Sequence, residues 1–294
     1  MQTTRYMNQD CVTLQNEHLS LLVTQSVGPR ILSLSVPGGE NLLATLPDAA
    51  TTRPDGKVYR FYGGHRLWHS PEHMPRTYDL DNDPVEIVPV AGGLKVTQAT
   101  EPLTGIQKSM QMVLAPDRAR LTIDHQLTNR GLWAVECAPW AITQLRPGGT
   151  AVLPFNQEDT GLLPNRSLAM WPYNDMTSPN LQWGRGCLLL KAEMPSPFKV
   201  GFANPSGWLA YWLDGCLFVK YAKFEAEKAY YDFGSSSECY CNPQFIELET
   251  LGPIVNIQPG QTVSHVETWE VFRDVAEPKS ELDVKALVAR FRLE

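Results

Sequence analysis

The chain has 294 residues, of which 43% are apolar and 19% are charged, and its formal net charge is −7. This balance fits a globular protein with one large β-rich domain or two ordinary ones, and the absence of long apolar runs predicts no membrane span. An acidic chain with no basic run longer than two residues is a poor match for nucleic acid, whose phosphates are bound by clustered Lys and Arg.

Alternating apolar and polar residues predict short antiparallel strands along most of the chain. The first run, residues 12–36, is broken by Gly28-Pro29 and predicts two or three strands. Further strands are predicted at 85–90, 93–99, 105–114, 119–129, 132–144, 187–192, 198–203, 207–213, 216–221, 239–251 and 264–272. Residues 153–186 are irregular, and a segment of this length is usually a functional excursion or a flexible insert.

Only the last fifteen residues predict a helix. Ser280 can cap it, and apolar residues recur at helical spacing, so its apolar stripe should pack against the outside of the sheets. A dozen or more strands without a dividing linker predict an all-β fold, a large antiparallel sandwich in a single domain (residues 1–294) with a short C-terminal helix. A propeller is the alternative, but the chain shows no regular blade repeat.

Residues 62–72, with the sequence Y-G-G-H-R-L-W-H-S-P-E, concentrate groups that can do chemistry. Two glycines permit a turn or a close approach to a ligand, because they have no Cβ. Titratable groups beside an aromatic face follow them: His65, Arg66, Trp68, His69 and Glu72. We expect a ligand-binding loop held by a rigid scaffold. The acidic segment 78–84 lacks the EF-hand spacing, which favours a solvated loop over a calcium site.

Two glutamates near the C-terminus, Glu247 and Glu249, alternate with apolar residues and Thr250. On a strand, the two carboxylates share one face. Such a face normally meets water. If it lines a hollow instead, repulsion and desolvation should raise one carboxyl pKa into the range useful for proton transfer near neutrality.

Polar residues in the strands before this pair are candidate ligands for sugar hydroxyls: Lys220, Tyr230, Asp232 and Glu238. Each of them is also compatible with an ordinary surface salt bridge. Trp68, Trp140 and Trp171 could offer flat faces to a sugar ring, although a buried tryptophan is more often only part of the core.

Several motifs, taken in order, resemble one known superfamily. They are an early V-G-P-R-I-L-S-L strand, the Gly-rich segment 63–69, an N-x-G strand end at 129–131, the strand that carries Glu249, and a closing x-P-G turn at 259–260. Over nearly its whole length the chain is similar to the galactose mutarotase-like superfamily, which includes aldose 1-epimerases and hexose-6-phosphate epimerases. It looks most like a bacterial branch with the motifs G-G-H-R-x-W-H-x-P-E and E-L-E-x-L-G-P.

This resemblance implies a β-supersandwich that holds a small-molecule sugar, and an aldose 1-epimerase-like isomerase that interconverts sugar anomers without a cofactor. In those enzymes a glutamate near the C-terminus takes the proton of the anomeric hydroxyl, and a histidine protonates the ring oxygen. Glu249 is the best match to the base, with Glu247 second. The family's acid histidine has no counterpart, because residues 138–141 read Ala-Pro-Trp-Ala. We expect His65 or His69 to take its role.

Two other interpretations stay open. The protein could bind a carbohydrate without turning it over. Alternatively, His65, His69 and Glu72 could ligate a metal, although Pro71 and the two glycines oppose the helix that would align the histidines. A zinc site on Cys239 and Cys241 is disfavoured, since their spacing is unusual and no second pair exists.

The first ten residues lack the apolar core of an export signal, which favours the cytoplasm and reduced thiols for the six cysteines. The sequence gives neither the identity of the sugar nor the oligomeric state.

Overall fold

The computed structural model describes residues 2–293, in which the alternating segments form strands. The strands of the first half are β1 (Gln2–Tyr6), β2 (Gln9–Gln15), β3 (Ser20–Thr24), β4 (Arg30–Ser35), β5 (Thr45–Thr52), β6 (Val58–Gly63), β7 (His65–Ser70), β8 (Glu86–Val90), β9 (Gly93–Thr97), β10 (Ile106–Leu114), β11 (Arg120–Asn129) and β12 (Val135–Leu145). Those of the second half are β13 (Thr150–Pro154), β14 (Leu168–Met170), β15 (Leu181–Trp183), β16 (Cys187–Lys191), β17 (Phe198–Phe202), β18 (Trp208–Leu213), β19 (Cys216–Ala222), β20 (Ser237–Cys241), β21 (Ile246–Leu251), β22 (Val255–Ile257) and β23 (Thr262–Phe272). The helical segments are α1 (Tyr231–Gly234), a single turn, and α2 (Glu281–Phe291).

Two large sheets and one hairpin account for the strands between residues 2 and 293. The first sheet has the order β1-β2-β3-β4-β7-β12-β21-β20-β17-β14, with β22 paired to β12. The second has the order β15-β16-β13-β18-β19-β23-β11-β10-β9-β8, and β5 pairs with β6. The central pairs of the first sheet are antiparallel. This arrangement confirms the predicted all-β sandwich.

Apolar side chains from the two large sheets meet in one core. Leu67 and Leu248 of the first sheet are buried in the same cluster as Met110, Ile123 and Phe218 of the second. Burying such a side chain stabilises a fold by roughly 1.5–3 kcal/mol. Because successive residues of a strand point to opposite faces, the neighbours of Leu67 and Leu248 are directed to the outward face of the first sheet.

The C-terminal helix packs on the other side of the molecule, as predicted. Ser280 is its N-cap and accepts a hydrogen bond from the backbone N–H of Asp283 at 3.3 Å. Val284 and Leu287 are buried against the outward face of the second sheet, which β13, β16, β18 and β19 form here. Neither helical segment of the described chain is long and apolar enough to cross a membrane.

Three sequence expectations about local structure are wrong. Residues 65–70 form a fully buried strand rather than a loop. The single strand expected at 239–251 is two strands, because the Asn242 side chain accepts hydrogen bonds from the N–H groups of Gln244 and Phe245 and closes a turn. The acidic segment is not simply solvated: Asp79 pairs with Arg53 at 3.2 Å and Asp81 with Arg30 at 2.6 Å.

Candidate functional site

Strand β7 divides its side chains between two environments. Arg66 and Trp68 face outward from the first sheet, whereas His65, Leu67 and His69 face the second sheet. The strand can lie this close to its neighbours because two glycines precede it. A Cβ at Gly63 would lie 2.2 Å from the Ala44 carbonyl oxygen, and one at Gly64 would lie 2.0 Å from that of Ile31. Both glycines also have positive φ, which other residues adopt only at a cost.

A cavity of about 750 Å³ opens on this outward face. Its size is within the usual range for small-molecule sites. The predicted residues that line it are Arg66, Trp68, Glu72, Trp140, Trp171 and Glu247. Lining residues that the sequence reasoning missed include Asp48, Phe61, Tyr78, Gln144, Tyr173, Lys199, Tyr240 and Phe245. Segments far apart in sequence therefore converge on one hollow.

Glu247 is the carboxylate that reaches the cavity. It is 8% exposed, and its Oε1 accepts hydrogen bonds from Arg66 Nη2 at 3.2 Å and from Gln144 Nε2 at 2.9 Å. Burial raises the pKa of Glu247 to about 7, and the nearby Glu249 carboxylate adds to the rise, although Arg66 and Lys199 oppose it. A carboxyl group of this kind exchanges its proton near neutral pH.

Glu249 points the same way as Glu247, as the alternation predicted, but it lies beneath the cavity surface and has no exposed area. Its Oε2 accepts hydrogen bonds from Trp140 Nε1 at 2.7 Å and from Lys199 Nζ at 3.0 Å. Glu238, the partner of Glu249 in β20, is equally buried and lies 2.7 Å from the same ammonium group. The best sequence match to the base is therefore sealed from the cavity, and the second match lines it.

The floor of the cavity, formed by Arg66, Lys199, Glu238, Glu247 and Glu249, holds more carboxylates than cations. Glu238, Glu247 and Glu249 share Arg66 and Lys199. Burial alone would lower the pKa of Lys199, but Glu249 and Glu238 outweigh it and hold that pKa well above its ordinary value. Burial also raises the pKa of Glu238 well above its ordinary value, with Glu249 adding to the rise. With both cations charged, one carboxyl is left to keep a proton near neutrality.

Aromatic rings surround this floor. The Trp68 ring lies 4.9 Å from that of Tyr78 and 5.4 Å from that of Trp140, measured between centroids. The Lys199 ammonium lies 4.8 Å from both the Trp140 and the Trp171 ring centroids, at cation–π distance. Polar groups between aromatic faces are the usual lining of a site for a polar ligand with apolar faces.

The two candidate acid histidines lie away from the cavity. His65 has no exposed area, and its Nε2 lies 2.7 Å from His125 Nε2 inside the sandwich. His69 is 2% exposed and lies 3.3 Å from Glu101, on the same inner face. Burial lowers the pKa of both histidines. The physical reason is the strand period: in a strand, His65 and His69 share a face that Arg66 and Trp68 do not.

Lys220 is also inside the sandwich rather than at the cavity. It has no exposed area, and its ammonium lies 2.9 Å from Glu267 and donates to the carbonyls of Ala141 and Leu248 and to the hydroxyl of Thr143. Lys220 is therefore not placed to contact a sugar in the cavity, contrary to the expectation from the sequence.

Asp232 and Tyr230 belong to the segment before β20 and do not line the cavity. Asp232 sits in the α1 turn with a positive φ of 50°. Tyr230 is buried in the aromatic cluster that also contains Trp68 and Trp140. Tyr230 therefore packs behind the lining, and neither residue is placed to contact a sugar in the cavity.

The structure does not bring together the three residues of the possible metal site. His65 and His69 are four positions apart on a strand, roughly 13 Å, and Glu72 accepts a hydrogen bond from the Tyr78 hydroxyl at the cavity. The His/Cys/Asp/Glu group that does converge in the described residues is His65, His125 and Glu267, with ligand atoms within 4.8 Å of one another. There the two histidines bond each other and Lys220 already neutralises Glu267. The six cysteines are free thiols.

Some of the missed lining residues carried a weak signal. Lys199 is the charged residue of the apolar strand F-K-V-G-F, and Gln144 interrupts the apolar run of β12. Tyr173 lies in the irregular segment 153–186, which was expected to be a functional excursion or a flexible insert. Nothing local places Lys199 against Glu249, because a pairing across three strands and 50 residues is not visible in the sequence.

Comparison with solved structures shows the fold. A protein from Escherichia coli K12, provisionally assigned as an aldose 1-epimerase, superposes with a TM-score of 0.55 at 11% identity, over 90% of this chain and 99% of its own. A galactose mutarotase-like protein from Lactobacillus casei gives 0.58 at 10% identity, over 89% and 100%. A TPR-domain protein from Parabacteroides distasonis gives 0.63 at 16% identity, over 93% of this chain and 50% of its own.

The chain therefore has the galactose mutarotase-like fold. No protein-family model and no curated protein sequence matches it.

Proposed function

We propose that the protein binds a sugar in the cavity and interconverts its anomers by general acid–base catalysis, with Glu247 exchanging the proton of the anomeric hydroxyl. One observation carries this proposal: the Glu247 carboxyl lines the cavity and has a pKa of about 7. A group whose pKa is near the working pH is effective both as a base and as an acid. The galactose mutarotase-like fold and the aromatic lining support a sugar as the ligand.

The reaction needs two proton transfers. Glu247 accepts the proton of the anomeric hydroxyl while the carbonyl forms at the anomeric carbon and the bond to the ring oxygen breaks. The ring oxygen must receive a proton in the same step. After rotation about the bond next to the carbonyl, the reverse transfers close the ring on the other face. No redox or Lewis-acid partner is needed to balance these steps.

Tyr240 is our candidate for the second transfer. It pairs with Glu247 across β20 and β21, so the two side chains are neighbours on the same face. Its hydroxyl oxygen accepts a hydrogen bond from Asn242 Nδ2 at 3.4 Å, which leaves its own proton free to donate. Burial raises the pKa of Tyr240, so it stays protonated at neutral pH. This assignment replaces the histidine expected from the sequence.

Glu249 then serves as a positioning residue. It holds the Trp140 indole and the Lys199 ammonium in place, and its charge helps to raise the pKa of Glu247.

A non-catalytic carbohydrate-binding protein is the second candidate. The observation that favours it is that no histidine is among the described residues lining the cavity. Carbohydrate binding without turnover would use the same aromatic and polar lining, so a test must measure binding and turnover separately.

Polarimetry with freshly dissolved aldoses is that test. We expect the protein to accelerate anomer interconversion, and Glu247→Gln to remove roughly 10²–10⁴-fold of the acceleration, the usual contribution of a general base. Tyr240→Phe should lower the rate as well. Glu193→Gln, a change at a surface side chain that is 60% exposed, is the matched control.

Two results would separate the candidates. Calorimetric binding of an aldose without any acceleration would favour the non-catalytic protein. Acceleration that survives Glu247→Gln would show that the proton passes through another group.

The remaining expectations stay predictions. They are a small-molecule sugar as partner, with neither nucleic acid nor membrane, and a location in the cytoplasm.

A further inference from the structure

The cavity is larger than one sugar ring requires. A hexose has about twelve non-hydrogen atoms, which amount to roughly 360 Å³ even if each takes the share of a water molecule in the liquid. The cavity measures about 750 Å³. A single ring therefore leaves about half of the space to something else.

The lining falls into two halves on either side of Glu247. The half on the β7 side carries Phe61, Trp68 and Tyr78, and the half on the β17 side carries Trp171, Tyr173 and Tyr240. Of these rings, Trp68 lies on β7 and Tyr240 on β20, three strand intervals apart with β12 and β21 between them. At about 4.8 Å per interval this is roughly 14 Å, so these two rings face different parts of the hollow.

Each half also has polar groups that can meet hydroxyls. On the β7 side, Arg66 and Glu72 line the cavity. On the β17 side, Asn242 and Gln244 line the cavity beside Tyr240.

The charges of the lining disfavour an anionic ligand. Its cations are Arg66 and Lys199, and both already lie beside carboxylates, at 3.2 Å from Glu247 and 3.0 Å from Glu249. Asp48 and Glu72 add further acidic groups to the lining. A phosphate or carboxylate on the sugar would compete with these carboxylates for the same two cations.

We propose that the ligand is a neutral oligosaccharide of at least two rings, with one ring over Arg66 and Glu247 and the next against Trp171 and Tyr173. This inference rests on the proposed sugar function and names its substrate class. The ring over Glu247 is the reducing one, since only that ring has an anomeric hydroxyl to deprotonate.

Calorimetry can test the second ring directly. The probes are glucose and galactose, compared with maltose, cellobiose, lactose and melibiose, and with glucose 6-phosphate and glucuronate as anionic forms. We expect the best disaccharide to bind at least about tenfold more tightly than the best monosaccharide, a difference of about 1.4 kcal/mol. Both anionic sugars should bind more weakly than glucose.

The variant Tyr173→Ala tests the contribution of the β17 half of the cavity to binding. This side chain is 44% exposed, so its removal should not disturb the core. We expect it to abolish most of the disaccharide gain and to lower monosaccharide affinity by a much smaller factor. Trp133→Ala is the control, because Trp133 is 81% exposed and lies in the turn before β12, outside the cavity lining.

Equal affinity for every monosaccharide and disaccharide would overturn the two-ring proposal and leave the sugar function standing. Tighter binding of an anionic sugar would overturn its neutral character. Failure of all the sugars to bind would overturn both proposals together.

Discussion

The two faces of β7, β12 and β21 carry two buried polar clusters that differ in how completely their groups are paired. Inside the sandwich, Lys220 matches Glu267, and the side chains of His65, His125 and His265 take part in hydrogen bonds. On the outward face, three carboxylates share two cations. Atoms of Arg66, Gln144 and Glu249 have no partner within the described chain.

This difference separates structural polarity from functional polarity. A cluster whose charges and hydrogen bonds are satisfied internally can only support the fold, and breaking it leaves a buried charge. A cluster with an excess carboxyl and unused donors can hold a proton and a ligand. Both clusters use lysine and glutamate, so residue type alone does not distinguish them.

Substituting the lysine of each cluster should give the largest difference in the free energy of unfolding. Lys220→Met leaves Glu267 buried without its cation, and we expect a loss of roughly 3–5 kcal/mol in the free energy of unfolding. Lys199→Met should cost clearly less, because burial already raises the pKa of Glu238 well above its ordinary value, so this carboxyl can hold a proton. Urea denaturation of both variants measures this, and an equal or larger loss in Lys199→Met would contradict the distinction.

Lowering the pH should reduce the stabilisation from the inner cluster and increase the stabilisation from the outward one. Burial lowers the pKa of His265 to about 3, so its contribution to stability is lost as the pH falls below the unfolded value near 6.5. The pKa of Glu247 is raised to about 7, so its contribution is present at low pH and lost as the pH rises through 7.

The variant Glu247→Gln removes the pH dependence that comes from Glu247 and leaves the one that comes from His265. Between pH 7 and pH 5, we expect it to lose about 2 kcal/mol more stability than the wild type, from the unfolded pKa of a glutamate near 4.3. Urea unfolding at the two pH values measures the difference. Parallel losses in the two proteins would mean that Glu247 titrates normally.

The smallest expected effect concerns Glu249. Its carboxylate helps to raise the pKa of Glu247, so Glu249→Gln should lower the apparent pKa of the rate profile by roughly one unit. Because the base form would then persist at lower pH, the acidic limb of the polarimetric profile should shift down. A merely structural role would lower the rate at all pH values and leave the limb in place.

The sequence predicted most of the strands, though not, for example, β5, β6, β7, β14 or β15, and it predicted the shared face of Glu247 and Glu249 from the period of two. It also predicted the cap at Ser280. It could not show which face of residues 65–70 meets the cavity, since that depends on β7 being a central strand with the second sheet behind it. Glu249 was preferred over Glu247 because it is the better match to the base of the resembling family. The two side chains share a face, and only the depth of the cavity separates them.

A crystal structure of the protein soaked with glucose or maltose tests the central claim most directly. We predict a sugar ring in the cavity on the outward face of the first sheet, with a hydroxyl within hydrogen-bond distance of Glu247 and the ring close to Trp68 or Trp140. A sugar bound elsewhere, with the Glu247 carboxyl free of contact, would contradict the account.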